Sequence, residues 1–428
     1  MYLRRMALPI RFPFSYVTAM ACLLVGGCAS SGLGSLPRAE DVPRLELAAG
    51  SDSTDLDVLT QLGAAYRSAA RSEEAKVVLE RVVMRDSSSG PAVLFLGLTY
   101  EDLGDYAHAR DLYRAYLRMG SSPALSRTIE DRVSLLQRRA LAQEIHQAVL
   151  QEEALSRAVP EPYRLAVYPL LTEGLGPELQ PLGRALTDLL VTDLAQTPRV
   201  TLLERAALPI LFQELALGES ERTDPSTAAR TGRILRAGRV IQGRLDTAPD
   251  GYRLQATVVN ASQTAQGQPA VVAQEDRGNR LLEMQRRMAI ELLGSIGVQL
   301  TPAERDRILR QRTVNTDALI AYGRGLEAAD GGDFAAAAAR FAEAARLDPG
   351  FTAARMRAAE ANGAAVAGVT STDQIARTAA EEEGAAAGPD AAVDAFLPGA
   401  NGRDAASEVL GTEGLGRRSV LDLIIRVR

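Results

Sequence analysis

The chain repeats itself at a shift of 34 residues, and no other feature limits its fold as much. "LTQLGAAYRSAARSEEAKVVLERVV" begins at Leu59 and is followed by "LFLGLTYEDLGDYAHARDLYRAYL". Leu62, Gly63, Tyr66, Ala75 and Leu79 thereby align with Leu96, Gly97, Tyr100, Ala109 and Tyr113. A period of this length belongs to units of two antiparallel helices stacked side by side. Gly63 and Gly97, like Ala75 and Ala109, lack bulk where paired helices cross, while the leucines and Tyr113 fill the space between them. One such pair cannot bury its own faces, so it needs neighbours.

The pattern resembles the tetratricopeptide repeat. A third copy, "GRGLEAADGGDFAAAAARFAEAARLDPGF", places Gly325, Phe334, Ala337, Phe341, Asp348 and Pro349 on the same template. Its first helix is weaker, because Arg324 and Ala328 replace the Leu and the Tyr. This single repeat, expected over 314–358, must pack on the first array or on whatever lies between. Residues 123 to 157 contain no glycine and only an initial proline, with Leu135, Leu136 and Leu141 at helical spacing, which predicts one long helix capping an array over 54–158. In tetratricopeptide proteins the first helix of each repeat lines a groove for extended or helical peptides. Carried onto this chain, the resemblance puts Arg67, Ser68, Glu101 and Asp102 on that lining, and implies protein partners bound there.

Between the repeats the pattern changes. Pro160 and Pro162 end the long helix, and Leu165 to Leu171 is an apolar run of strand length, as for a strand buried on both faces. A helix follows with Leu182, Leu186, Leu189, Leu190 and Leu194 on one side. Val200 to Glu204 reads as a strand, Ala206 to Leu215 as a helix, and Asp224 with Pro225 as the cap and first turn of another. Strands over 239–245, 252–260 and 269–275 and a helix over 279–297 complete a mixed α/β sandwich. The whole is an α+β multidomain chain, with a helical N-terminal array, this central sandwich over 164–300, and a single C-terminal repeat.

No catalytic constellation stands out. Gly174-x-Gly176 sits between a strand and a helix, but Leu179 occupies the place of the third glycine of a dinucleotide turn. His108 and His146 both fall in the helical region without a cluster of acids or a cysteine, so they compose neither a metal site nor a triad. The expectation is a non-enzymatic protein with no cofactor and no metal. A formal net charge of −6 and the lack of a Lys/Arg cluster exclude nucleic acid as a partner.

"LAVYPLL", "LGRALTDLLVTDLAQTPRVTLLERAAL", "DPSTAARTGRILRAGRVIQGRL" and "LLEMQRRMAIELLGSIGVQLTPAE" together resemble the CsgG/HfaB family of curli-secretion and holdfast-attachment lipoproteins. The resemblance implies a role in secretion or attachment of a surface polymer, and homo-oligomerisation through this domain. The curli channel builds a barrel from two long amphipathic hairpins per subunit, and each barrel strand needs ~10 residues. Between 239 and 278 there is room only for the sheet's own strands, and the second hairpin has no candidate segment. An accessory protein is therefore expected rather than a pore; a channel, or a small-molecule sensor on the sandwich, is the alternative.

The N-terminus has the form of a secretory signal. Arg4, Arg5 and Arg11 precede or flank an apolar stretch over 14–25, too short for a spanning helix of ~20 residues. Val25-Gly26-Gly27-Cys28 resembles the bacterial lipobox, which implies signal removal after residue 27 and acylation, with palmitate or a similar chain, on Cys28. Ala29 in place of Asp implies the outer membrane, with the protein on its periplasmic face. The Ser-, Gly- and Pro-rich stretch over 28–53 reads as a flexible tether. Residues 359–428 read as a low-complexity, largely disordered tail that ends in strand-like "RRSVLDLIIRVR".

Overall fold

The computed structural model describes residues 36–386 apart from 173, 219, 250, 263–269, 278–279 and 311–314. Cys28 and the signal segment before it lie outside the described residues, as do residues 387–428 with the strand-like terminus.

The N-terminal unit begins with α1 (Val42–Ser51) and continues as two helix pairs, α2 (Leu56–Ser68) with α3 (Ser72–Arg85) and α4 (Gly90–Asp102) with α5 (Tyr106–Met119). Helix starts are set by short polar caps: the Asp55 carboxylate accepts from the amides of Asp57 and Val58, Ser89 from Ala92, and Asp105 from His108. Within each pair the predicted crossing is very close. A Cβ on Gly97 would stand 2.7 Å from the Tyr113 ring, and one on Gly63 would run into the Leu79 side chain. Each turn between paired helices needs one left-handed residue, supplied by Gly104 in the second repeat and by Ala70 in the first.

The long helix α6 (Pro123–Leu150) follows and stops at Gln151, so the expected helix over 123–157 divides into α6 and a short α7 (Glu152–Ser156). Its first half buries Leu125, Ile129 and Leu136 in the array's core. Its second half buries Ile145 in the core of the next domain. One rigid element therefore joins the two.

The central domain consists of β1 (Glu161–Val167), α8 (Pro181–Leu194), β2 (Thr201–Leu202), α9 (Ala207–Glu214), α10 (Pro225–Ile234), β3 (Ala237–Ala248), β4 (Gly251–Asn260), β5 (Ala270–Arg277), α11 (Leu281–Ser295) and α12 (Pro302–Leu309). The five strands lie in the order β2-β1-β3-β4-β5. β1 pairs in parallel with β2 and β3, whereas β3, β4 and β5 form an antiparallel meander. Side chains alternate between two cores: Leu165, Val167 and Ile241 face α8 and α11, while Ala166, Tyr168 and Val240 face α9, α10 and α6. Covering on both faces explains why β1 reads as a continuous apolar run.

The C-terminal repeat is α13 (Thr316–Asp330) with α14 (Phe334–Leu347), followed by α15 (Thr352–Val369) and α16 (Thr372–Ala386). Gly325 repeats the close crossing, with its missing Cβ 2.6 Å from the Phe341 ring. The repeat docks on the central domain. Leu319, Tyr322 and Leu326 of α13 share one core with Leu186 and Leu190 of α8, and Gly323 lies so near the Pro181 carbonyl that a Cβ would collide with it.

Two expected boundaries shift. The tether expected to run to residue 53 gives way at Val42 to α1, because Val42 and Leu45 fall one turn apart and bury in the array's core. The tail expected from 359 is helical through Ala386. Its alanines favour a helix, and Ile375, Ala376 and Ala379 find a core to enter.

Candidate functional site

The first helices of the array, α2 and α4, pack side by side, and α6, packed on α5, reaches the end of α4 through Arg132. Arg67 closes α2; Glu101 and Asp102 close α4. The Arg67 guanidinium is 2.7 Å from Asp102 Oδ2, with its side chain almost wholly buried. Glu101 is buried as well. It accepts from the Tyr113 hydroxyl at 2.9 Å and from Arg132 Nε of α6 at 3.0 Å. Burial beside this carboxylate pushes the Tyr113 hydroxyl pKa well up, so it stays a proton donor.

This face is occupied. α16 lies on it, with Ile375, Ala376 and Ala379 in the array's core. Asp373 meets Arg67 Nη2 at 3.0 Å, and the Thr372 hydroxyl donates to Asp102 at 2.8 Å. Ser122 at the head of α6 donates to Glu382. Arg132 also donates to the carbonyls of Thr370, at 2.8 Å, and of Ala367, which closes the C-terminus of α15.

Of the four residues expected to line an open groove, Arg67, Glu101 and Asp102 thus form one linked network beneath the chain's own helix. Ser68 stands apart and donates to the carbonyls of Pro37 and Ala64. Sequence reasoning missed Arg132, although a signal was present: Leu125, Ile129, Arg132 and Leu136 recur at helical spacing, which puts a guanidinium on the apolar stripe of α6.

A second polar centre lies where the three units meet. Asp188 of α8 accepts from the Tyr322 hydroxyl at 2.7 Å and from Arg357 at 3.2 Å, with Arg205 at 3.7 Å. Arg205 also meets Asp330 at 2.6 Å, and Arg138 donates to the Asp330 carbonyl at 2.6 Å. A cavity of about 190 Å³ opens beside it, lined in part by Arg138, Arg205, Phe334, Phe341 and Arg357. Arg205 and Arg357 already have carboxylate partners, so the centre acts as a clamp between units.

Nothing else among the described residues assembles chemistry. His108 pairs with Asp105 and His146 with Glu214, and although Asp105, His146 and Glu214 line one open cavity, each imidazole is already paired with its own carboxylate. No group of three His, Cys, Asp or Glu side chains could hold a metal among the described residues. At the Gly174-x-Gly176 loop a Cβ on Gly174 would stand 3.1 Å from the Asp246 carboxylate, and Gly176 faces Glu178. Acids so close oppose a phosphate. No helix among the described residues is long and apolar enough to cross a membrane.

Residues 172–248, from the loop before α8 through β3, match the family model for the curli production assembly/transport component CsgG. Residues 91–119, which are α4 and α5, match a tetratricopeptide repeat. No curated protein and no solved structure matches the chain.

Proposed function

We propose that this chain, whose CsgG-family domain is held between tetratricopeptide units, is a lipid-anchored accessory of the outer membrane that binds proteins during the assembly, secretion or attachment of a surface polymer. The observation that carries the reading is the way the sheet is connected. β3 and β4 are joined by residues 249–250, β4 and β5 by 261–269, and β5 and α11 by 278–280. None of these holds two strands of ~10 residues, the least that a barrel hairpin requires. That favours a protein standing in the periplasm over one that lines a pore. The repeats supply a protein-binding module, and Cys28 supplies the anchor, since several acyl chains on one residue hold a protein stably at a bilayer.

Two measurements test the reading. Cys28→Ser should move the protein from membrane pellets into the soluble periplasm, and persistence in the pellet would remove lipid as the sole anchor. Crosslinking in the native envelope should recover components that export or attach a surface polymer. Ion conductance by the purified protein in planar bilayers would instead establish the channel.

A further inference from the structure

The residues that the repeat template assigns to a binding groove are covered by α16, and α16 is held differently from α13 and α14, the two helices of the C-terminal repeat. α13 and α14 enter their core with Leu319, Tyr322, Leu326 and Phe341. α16 enters the array's core with Ile375, Ala376 and Ala379, and with Ala380 also buried. Only one of these side chains is larger than a methyl group, so little apolar area leaves water. Its main ionic fastening is half-exposed: the Asp373 side chain is 72% accessible above a buried Arg67, so water reaches and screens the carboxylate.

The charges of the face beneath stay paired without it, although Arg67 gives up its hydrogen bond to Asp373. If α16 leaves, Arg67 keeps Asp102, and Glu101 keeps Tyr113 and Arg132. No buried charge is orphaned, which is the usual reason a charged face cannot be uncovered. The connection is suited to separation as well. α15 ends at Val369 and α16 starts at Thr372. Arg132 holds the carbonyls of Ala367 and Thr370, so α15 remains fixed while the next helix swings.

We propose that α16 is an exchangeable internal ligand, and that the face it covers takes in its place a helix of a partner protein with the same chemistry. That chemistry is a carboxylate in the first turn, set to meet Arg67, followed by one branched or linear aliphatic residue and a stripe of alanines one and two turns along. The proposal rests on the protein-binding reading of the repeats and names the kind of partner. α16 itself is the template: what fits the face within the chain fits it from outside, provided that the internal copy is released. Binding is then controlled by the fraction of molecules in which α16 is out.

The test uses the full chain and a labelled synthetic peptide of residues 370–386. Ile375→Asp in the protein should expel α16 and raise peptide affinity at least tenfold over wild type. A peptide carrying Asp373→Lys or Ile375→Asp should fail to bind that variant, and one with Ile375→Leu should bind it. In wild type, hydrogen exchange should be at least tenfold faster in α16 than in α14. Equal affinities for the two proteins, or no binding to an Ile375→Asp variant whose α14 exchange matches wild type, would overturn the proposal. So would a concentration-dependent dimer of that variant with α16 exchanged between copies, because the occupant is then a second copy. Envelope crosslinking that finds no partner while the peptide still binds would sink the proposed function and leave the exchangeable helix standing.

Discussion

The hydroxyl of Tyr322 donates to Oδ2 of Asp188 at 2.7 Å, a bond between residues 134 apart that joins the C-terminal repeat to the α/β domain. Both partners are buried. Burial raises the Tyr322 pKa far above the ordinary phenol, so the proton stays on oxygen and the donor is permanent. Tyr322→Phe leaves Asp188 with Arg357 and Arg205 but without its shortest contact. The expected cost is about 1–3 kcal/mol, read as a lower urea midpoint at unchanged slope. A change below the error of that measurement would show that the arginines suffice.

Gly323 enforces the same contact sterically. Its α13 backbone rests against the Pro181 carbonyl at the start of α8, and that obstacle is main chain, which cannot rotate away. Gly323→Ala should push the repeat off the domain and destabilise the chain by ~1–3 kcal/mol. Ala109→Leu, at a fully buried crossing of the array, should cost a similar ~1–3 kcal/mol there. Thermal melts of the two variants check both, and an unmoved midpoint in either would refute the crossing at that position.

Ala70 carries the opposite prediction. Its φ of 58° is left-handed, and the corresponding turn residues of the other repeats are Gly104, at 78°, and Gly332, at 82°. An L side chain in that region costs ~1–2 kcal/mol, which glycine avoids. Because Ala70 is exposed, its methyl group contributes no packing to offset the strain. Ala70→Gly should therefore raise the thermal midpoint, and Gly104→Ala should lower it. The same sign for both would mean that the turn geometry is not what decides.

The repeat register was legible because small residues at Gly63, Gly97 and Gly325 recur with their large partners Leu79, Tyr113 and Phe341 at one constant offset. The strands of the α/β domain were legible through apolar runs and the turn residues between them. Two things were not legible. Alanine-rich composition after residue 359 reads as low complexity, since alanine has little apolar area and its burial depends on a partner surface distant in sequence. The groove residues were found by template, but their burial was not, because Arg67 and Asp373 are 306 residues apart and nothing local joins them.

His108 gives the array a pH dependence whose sign can be worked out. Its Nδ1 lies 2.6 Å from Asp105 Oδ2, and that hydrogen bond is the main cause that holds its pKa above the ordinary imidazole value, with the charge of Asp105 adding to it. Lys76 and partial burial act the other way, and Asp111 supports the shift. The charged form is therefore favoured in the folded chain. The stabilisation is complete below the unfolded value of ~6.5 and is lost as pH rises through the higher folded value. Asp105 is also the cap of α5, so its carboxylate must stay. Stability of the array should thus decline as pH is raised from about 6 toward about 8, while His108→Gln, which keeps a donor but cannot titrate, should flatten that slope. Guanidinium midpoints taken across this range would decide, and parallel slopes for the two proteins would assign the pH dependence to other groups.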